Sequence, residues 1–344
     1  MEGSRATQPQ SRAHIPVLLR EVLELLAPQP GDVVLDCTAG LGGHAEALAR
    51  RVGPRGTLIL FDLDPGNLAA AAGRVRALHD APGVLTFNAS FADAPRLLRA
   101  GLAPSPDTGA QARPIPPVNV LLADLGFASN QIDTPERGFS FSRNGPLDMR
   151  LNPAAPITAS ELVNTMPERE LAELIRDLAE EPWPAASAIA RKLVQARAAG
   201  PISTTAELAA IIRSALPPRR HGSPSIDPAT RTFQALRIAV NDELGSLASL
   251  LEGIRRSAAM LVSSSGGSGT LAPPGWLAPG ARIGIISFHS LEDRPVKQAF
   301  SNLVQHGLAA DLTRRPAVAT DDEIAANPRS RSAKFRAVRI AGGA

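Results

Sequence analysis

Residues 31–45 read Gly-Asp-Val-Val-Leu-Asp-Cys-Thr-Ala-Gly-Leu-Gly-Gly-His-Ala, and this stretch decides the fold of the chain. Its apolar, β-branched start predicts a buried strand that ends at Asp36. The glycines that follow predict a tight turn, because glycine adopts positive φ and lets a ligand approach the backbone closely. Apolar residues spaced three and four apart then predict a helix. The free N–H groups at the start of such a helix favour a ligand above the turn.

A second predicted strand, Thr57 to Phe61, ends in Asp62, about 20 residues after Gly40. An acidic residue at this distance in a nucleotide-binding βαβ unit accepts hydrogen bonds from ribose hydroxyls. Gly40-x-Gly42-x-x-Ala45 also matches the dinucleotide fingerprint with alanine in the last place, so an NAD site is one interpretation. The other is a tight turn without a ligand. The strand, turn, helix and acidic strand end together favour a nucleotide-type ligand.

Two further apolar runs, Val84 to Phe87 and Val118 to Ala123, predict a third and a fourth strand. Four strand–loop–helix units with apolar strands predict an α/β fold: a doubly wound, mostly parallel sheet with helices on both faces. Ligands of such sheets bind beyond the carboxyl ends of the strands. The residues expected at those ends are Asp36, Asp62, Phe91 and Asp124.

Between residues 131 and 230 the pattern changes to helices without strands. It predicts an inserted all-helical subdomain between residues 14–130 and 231–344, the two parts of the α/β domain. The expected helices are one opened by a capping box at Thr165-x-x-Glu168, one over Ala185 to Ala199, and one opened at Thr204-x-x-Glu207.

After the insertion, apolar residues from Phe233 to Leu261 recur every three or four positions, which predicts one long amphipathic helix. A fifth strand is predicted over Ala281 to Phe288, followed directly by His289, and a last strand over Phe335 to Ile340. Three segments read as irregular. They are a disordered arm at 1–13, a proline-rich loop at 101–117 and a Gly/Ser loop at 263–270.

Composition narrows the classes of protein. Of the 344 residues 44% are hydrophobic, which supports a large core, while only 3% are aromatic and none is tyrosine. Clusters of arginine suit contact with phosphates, although arginines scattered over a solvated surface would give the same composition. A single cysteine excludes an internal disulfide, and no apolar run approaches the ~20 residues of a membrane span. We therefore expect a cytoplasmic protein that is not embedded in a membrane.

Several longer motifs resemble those of one family, the small-subunit ribosomal RNA cytosine-N4 methyltransferases (RsmH or MraW). The resemblance extends from His14 to about Ile340. The motifs include Gly42-Gly43-His44, Asp62-x-Asp64-Pro65, Arg137-Gly138-Phe139-Ser140-Phe141, Gly145-Pro146-Leu147-Asp148-Met149-Arg150, Ile285-Ile286-Ser287-Phe288-His289-Ser290-Leu291-Glu292-Asp293-Arg294 and Asn327-Pro328-Arg329-x-Arg331-Ser332.

The resemblance implies a class I (Rossmann-like) methyltransferase that uses S-adenosylmethionine and binds RNA with its helical insertion. It implies methylation of the exocyclic N4 of a cytidine in the decoding region of small-subunit rRNA, and leaves open whether free rRNA or the ribosomal subunit is the substrate. Asp62 would accept hydrogen bonds from the ribose, and Phe91 would flank the adenine. The family's cofactor contacts correspond to Gly42, Gly43, His44, Asp62, Phe91, Asp124 and Gln131.

The chain departs from the family after Asp124-Leu125-Gly126. Residues 127–131 read Phe-Ala-Ser-Asn-Gln, where the family usually has Val-Ser-Ser-Pro-Gln. The departure leaves Gln131 in place but changes its neighbours. It removes no carboxylate and leaves the Gly42-Gly43-His44 core intact.

Methylation of an exocyclic amine requires an acceptor for the amine hydrogen, because the N4 lone pair is delocalised into the cytosine ring. The candidate catalytic residues are Asp148 as an acceptor near the base, Asp124 facing the cofactor, and His289 as a hydrogen-bond partner of the flipped base or of a phosphate. Asp148 has an alternative role in a loop-stabilising pair with Arg150, and His289 one in tying the end of a strand to a loop. No His, Cys and Asp spacing resembles a metal site.

The candidate contacts to RNA phosphates are arginines in or near the insertion. The alternative for each is an ordinary surface or salt-bridge arginine. They are Arg137, Arg143, Arg150, Arg231 and Arg237. Phe139 or Phe141 is a candidate to fill the gap left by an extruded base, with a place in the core as the alternative.

Two other functions stay open from the residues alone. One is an NAD-linked oxidoreductase on the same glycine turn, and the other is a non-catalytic RNA-binding or assembly protein. The sequence leaves monomer and homodimer undecided.

Overall fold

A computed structural model of the protein describes residues 16–99, 115–217, 227–264 and 275–342. The predicted disordered arm at 1–13 lies outside the described residues, as do most of the proline-rich loop at 101–117 and of the Gly/Ser loop at 263–270.

The described strands form one mixed sheet. In chain order they are β1 (Val33–Asp36), β2 (Thr57–Phe61), β3 (Gly83–Phe87), β4 (Val118–Asp124), β5 (Leu277–Ser287), β6 (Ala309–Asp311), β7 (Ala317–Val318) and β8 (Lys334–Ile340). Their spatial order is β3-β2-β1-β4-β5-β8-β6, and β7 also pairs with β8. The first five strands pair in parallel and β8 is antiparallel to β5. The predicted mostly parallel, doubly wound sheet is confirmed.

Helices connect the strands and build the insertion. They are α1 (Leu19–Leu26), α2 (Gly43–Val52), α3 (Pro65–Arg76), α4 (Ala94–Arg99), α5 (Ser129–Asp133), α6 (Ala159–Thr165), α7 (Glu168–Ala179), α8 (Trp183–Ala199), α9 (Thr205–Ala215), α10 (Ala229–Asn241), α11 (Glu243–Ser264), α12 (Ser290–Gln305) and α13 (Asp321–Ala326). No helix of the described ranges is long and apolar enough to cross a membrane.

Both faces of the sheet are buried, as its parallel strands require. Leu35 and Ile59 face a core cluster that includes side chains of α11 and α12. Val34 and Leu58, their neighbours in the chain, face the cluster that includes side chains of α1, α2 and α3. Successive side chains of a strand point to opposite faces, so the nearly continuous apolar runs of the sequence serve two cores at once.

The insertion has its own apolar cluster, to which helices α6 to α10 contribute. The predicted capping box at Thr165 is wrong, since Thr165 is the last residue of α6. Pro167 disfavours a helical conformation at the residue before it, so the next helix begins only at Glu168. The capping box of this region lies at Thr158 and Glu161. The predicted start at Thr204 is confirmed, because its side chain accepts the N–H of Glu207.

The single long helix predicted over Phe233 to Leu261 is also wrong. It is two helices, α10 and α11, separated at Asp242, whose φ of 47° is left-handed. Phe233 packs in the cluster of the insertion, whereas Leu247 packs against the sheet. A one-residue break hardly changes the spacing of the apolar residues, so the pattern does not reveal the break at Asp242.

Candidate active site

The glycine turn between β1 and α2 is fixed by its neighbours. Gly40 and Gly42 have φ values of +51° and +83°. A Cβ on Gly42 would lie 2.8 Å from Cα of Ala71 in α3, so no larger residue fits. The N–H of Gly40 donates to Oδ2 of Asp62 at 2.7 Å, which ties the turn to the end of β2.

Asp62 lies at the predicted place and orients the backbone around it. Its other carboxylate oxygen accepts the N–H of Asp64 at 2.8 Å. Burial raises the pKa of Asp62 to about 6, although the amides of Asp64 and Gly40 act in the opposite direction. Each carboxylate oxygen has a second lone pair, so Asp62 retains acceptor capacity for a ligand.

Asp36 and Asp124 end the adjacent strands β1 and β4. Asp36 is 1% exposed, and burial together with the charge of Asp62 raises its pKa to about 7, although the Thr38 N–H acts in the opposite direction. Burial, with the charges of Asp36 and Glu292, raises the pKa of Asp124 well above its usual range. Oδ2 of Asp36 and Oδ1 of Asp124 are buried without a hydrogen-bond partner in the described part of the chain. Unused acceptors among like charges suit a positively charged ligand.

The other predicted cofactor contacts lie in the segments that follow β1 and β3. Gly43 is the first residue of α2. Nε2 of His44 lies 2.9 Å from the carbonyl oxygen of Val17, and Nδ1 lies 3.5 Å from Oδ2 of Asp124. Phe91 follows β3, opens a short 3₁₀ turn and packs at the edge of the first core cluster.

Gln131 is almost fully buried, and its amide is used within the protein. Oε1 accepts the N–H of Ala128 at 2.9 Å, and Nε2 donates to Oδ2 of Asp64 at 3.4 Å. These bonds shape the loop after β4 and join it to the N-terminal cap of α3.

Three of the predicted RNA-contacting arginines each make at least two side-chain hydrogen bonds within the protein. Arg137 donates to Oδ2 of Asp64 at 2.6 Å and to the carbonyls of Arg150 and Leu151. Burial acts to raise the pKa of Asp64, but Arg137 and the backbone N–H groups of Asn67 and Gly66 together outweigh it, so the pKa is lowered. Arg237 forms a two-bond pair with Glu243. The third, Arg150, binds Asp148.

Asp148 is engaged on both oxygens. Oδ1 accepts the backbone and Nε N–H groups of Arg150, and Oδ2 accepts its Nη2 at 2.7 Å. Burial acts to raise the pKa of Asp148, but the bonds from Arg150 outweigh it and lower the pKa. This geometry matches the loop-stabilising alternative for Asp148, because a carboxylate so held is a weak proton acceptor.

Arg143 and Arg231 remain at the surface. Arg231 lies 3.3 Å from Oε1 of Glu181 and Arg143 donates to the carbonyl of Asp133 at 3.3 Å. Both guanidinium groups keep most of their donors for a ligand.

The aromatic rings divide between core and site. Phe141 packs edge-to-face on Phe233 in the helical cluster, which matches its alternative as a core residue. Phe139 stacks on Phe127 with 6.0 Å between ring centroids, and Arg237 lies over the Phe127 ring. Phe127 is 36% exposed and follows Asp124 by three residues. In the sequence, Phe127 is distinguished only by the departure from the family pattern at residues 127–131.

His289 caps α12 at the carboxyl end of β5, where its Nε2 lies 3.2 Å from Oε1 of Glu292. In the sequence, Glu292 is distinguished only as one residue of the motif that begins at Ile285. Its burial, at 3% exposure, is the feature that no local pattern shows.

The carboxylates at the strand ends fit S-adenosylmethionine, which combines two positively charged groups with a ribose diol. Buried carboxylates suit the positive charges, and the remaining lone pairs of Asp62 are acceptors of the kind that a diol requires. A doubly wound sheet with this strand order and this site defines a class I, S-adenosylmethionine-dependent methyltransferase.

Comparison with known proteins assigns the chain to one family within this class. The chain belongs to the MraW methylase family, whose model matches residues 11–263 and 271–341. The resemblance seen in the motifs is therefore confirmed.

Three relatives show how far the similarity extends, and all are named ribosomal RNA small subunit methyltransferase H. The protein of Acidobacterium capsulatum is 41% identical over 94% of this chain and 97% of its own. That of Heliobacterium modesticaldum is 40% identical, with the same coverage of both chains. That of Symbiobacterium thermophilum is 42% identical over 94% of this chain and 96% of its own.

Binding of the cofactor is expected to depend on pH. A cationic ligand prefers ionised carboxylates, so affinity should rise with pH through the pKa values of about 6 for Asp62 and about 7 for Asp36. Protons are then released on binding. Calorimetric titration at about pH 6.5 in two buffers of different ionisation enthalpy measures this release. Asp36→Asn should release fewer protons than the wild type, and binding without proton release would contradict the expectation.

Proposed function

We propose that this protein transfers the methyl group of S-adenosylmethionine to the exocyclic N4 of a cytidine in the decoding region of small-subunit rRNA. The observation that carries the proposal is 41% identity, over 94% of the chain, to a relative named ribosomal RNA small subunit methyltransferase H. The base and the position follow from the resemblance of the motifs.

The cofactor supplies an electrophilic methyl group beside the carboxyl ends of β1 and β4. Asp36 and Asp124 balance its positive charge, Asp62 accepts from the ribose, and Phe91 lies beside the adenine. The turn at Gly42 leaves room because it carries no Cβ. The protein contributes mainly by positioning the reactants and by an electrostatic field that matches the charge of the cofactor. This suits a transfer in which the amine must lie in line with the methyl group.

The RNA approaches from the side of the helical insertion. Arg143 and Arg231 contact phosphates, since they are the predicted arginines with most of their donors free. Arg137, Arg150 and Arg237 hold the loops that shape the pocket. A stacked cytidine must be extruded to reach the methyl group. The exposed edge of Phe127 offers an apolar surface to a neighbouring base.

The geometry also supports a choice between the alternatives. The pyrophosphate of NAD would be repelled by the buried carboxylates at the strand ends, whereas a sulfonium is attracted. A non-catalytic assembly protein would bind the cofactor and the subunit without turnover. The partner is small-subunit rRNA within the ribosomal subunit, so the protein acts in the cytoplasm where subunits assemble.

The experiment uses small ribosomal subunits from cells that lack the gene. They are incubated with the protein and methyl-labelled S-adenosylmethionine, and the digested rRNA is analysed by mass spectrometry. Label in N4-methylcytidine at the decoding region is the expected result. Free rRNA, tested in parallel, distinguishes the two forms of the substrate. Cofactor binding without label in either would favour the assembly protein, and no binding would contradict the proposal.

A further inference from the structure

His289 and Glu292 form a pair whose orientation is set by the start of α12. One oxygen of Glu292 accepts the backbone N–H of Phe288 at 2.9 Å, and the other lies 3.2 Å from Nε2 of His289. Because the carboxylate is buried, no solvent competes for its oxygens and its orientation is fixed. The imidazole therefore meets a fixed acceptor on its Nε2 side.

The imidazole has unused hydrogen-bonding capacity. Both ring nitrogens are buried, and neither makes an aligned hydrogen bond within the described residues. Buried polar atoms in proteins are normally paired, so an unpaired one indicates the position of a ligand. Catalytic hydrogen bonds are often long before substrate binds and tighten in the complex.

The pair belongs to the cofactor site. Glu292 is close enough to Asp124 to act on its ionisation. Oδ1 of Asp124 and Oδ2 of Asp36 are, like the His289 nitrogens, buried without a partner in the described part of the chain. These unpaired atoms come from the ends of three adjacent strands, β1, β4 and β5. In the proposed function, this edge of the sheet is where the methyl group and the amine would meet.

We propose that His289 accepts the proton released from the cytidine amine, and that Glu292 is the positioning residue that selects the tautomer able to accept it. The inference rests on the proposed function. A carboxylate is an acceptor only, so Glu292 keeps the imidazole proton on Nε2 and leaves the lone pair on Nδ1. Asp148 is already occupied by Arg150, and Asp124 faces the cationic cofactor.

The proton balance of the reaction requires such a group. The N4 lone pair forms the new C–N bond, and the electron pair of the broken S–C bond stays on the sulfur. One N4 proton then passes to Nδ1 of His289, which returns it to solvent after the product leaves.

The test is the substitution Glu292→Gln. The glutamine oxygen keeps the bond from the Phe288 N–H, while its NH₂ group turns to Nε2 of His289 and shifts the ring proton to Nδ1. We expect kcat to fall about 100-fold. With the cofactor saturating, the KM for the RNA should stay within about three-fold of wild type.

A spectroscopic measurement reports the tautomer without any turnover. In protein labelled with ¹⁵N-histidine, the His289 resonances should change from the Nε2–H to the Nδ1–H pattern in Glu292→Gln. Loss of those resonances in His289→Asn assigns them. Asparagine is a favoured N-cap, so this variant retains the start of α12 and should lower kcat at least as much.

Glu170→Gln is the matched control, because it makes the same change on an exposed position of α7. It should leave kcat and the tautomer unchanged. Wild-type kcat or an unchanged tautomer in Glu292→Gln would overturn the inference. If Glu292→Gln fails to fold, wild-type kcat in His289→Asn overturns it instead. Absence of N4-methylcytidine with the wild-type protein would overturn the proposed function itself.

Discussion

Replacing Asp124 with alanine is expected to abolish methyl transfer and to weaken binding of S-adenosylmethionine at least about 100-fold. Asp124 is the carboxylate with the strongest reason to bind a cation, because it is desolvated and lies beside Asp36 and Glu292. Removing one member of a buried charge pair costs about 2–5 kcal/mol. Calorimetry of cofactor binding and label transfer to rRNA measure the two effects.

Removing the charge of Asp124 should not destabilise the folded protein in the absence of the cofactor. The raised pKa means that the folded state holds the Asp124 proton more tightly than the unfolded chain does. The contribution of this group to stability is therefore present at low pH and is lost as pH rises through the raised pKa. Asp124→Asn removes that loss, so its melting temperature should equal or exceed that of the wild type, increasingly so at higher pH.

Asp80→Asn serves as a control, since Asp80 is exposed on the surface. It should change neither binding nor melting. Wild-type affinity for the cofactor in Asp124→Ala would contradict the assignment of Asp124. Early melting of Asp124→Asn would show that the carboxylate stabilises the fold instead.

Gly145→Ala is expected to destabilise the protein by about 3 kcal/mol, the largest effect on folding among these predictions. A Cβ at this position would lie 2.7 Å from the carbonyl carbon of Pro135, and closer still to its oxygen. The Cβ is attached directly to the backbone and the contacted carbonyl belongs to the backbone of Pro135, so no side-chain rotation can relieve the clash. Gly145 also exchanges hydrogen bonds with Thr205 at the start of α9, which holds it in place.

Thermal denaturation followed by circular dichroism measures this loss. Gly73→Ala is the matched control, because nothing lies within 4 Å of a Cβ at this exposed helical position. It should be neutral or stabilising by up to about 1 kcal/mol, since alanine is a better helix former than glycine. An unchanged melting temperature in Gly145→Ala would show that the loop can move away from Pro135.

Local pattern was sufficient for six of the eight described strands, β1 to β5 and β8, and for the acidic ends of three of them; the short strands β6 and β7 were not predicted. The apolar runs of β1, β2 and β4 are distinct from their surroundings, and each ends at or just before an aspartate. Parallel strands bring their carboxyl ends to one edge, so the position of a residue along each strand was enough to place Asp36, Asp62 and Asp124 together.

Helix boundaries depended on single residues that periodicity does not detect. Pro167 moved a helix start, and the left-handed Asp242 divided one predicted helix into two. In both cases the apolar spacing continued across the break, because each helix buries its apolar face in whichever core it meets.

The sequence by itself determined the fold class, the glycine turn and the row of carboxylates, because each is written in residues that are neighbours along the chain. Only the tertiary structure decided which charged groups are already paired. Arg137 meets Asp64 across the fold, and Glu292 acts on Asp124 from the first turn of α12. Burial and distance between segments set these pairs and the pKa values that follow. Neither quantity can be read from residues that are far apart in sequence.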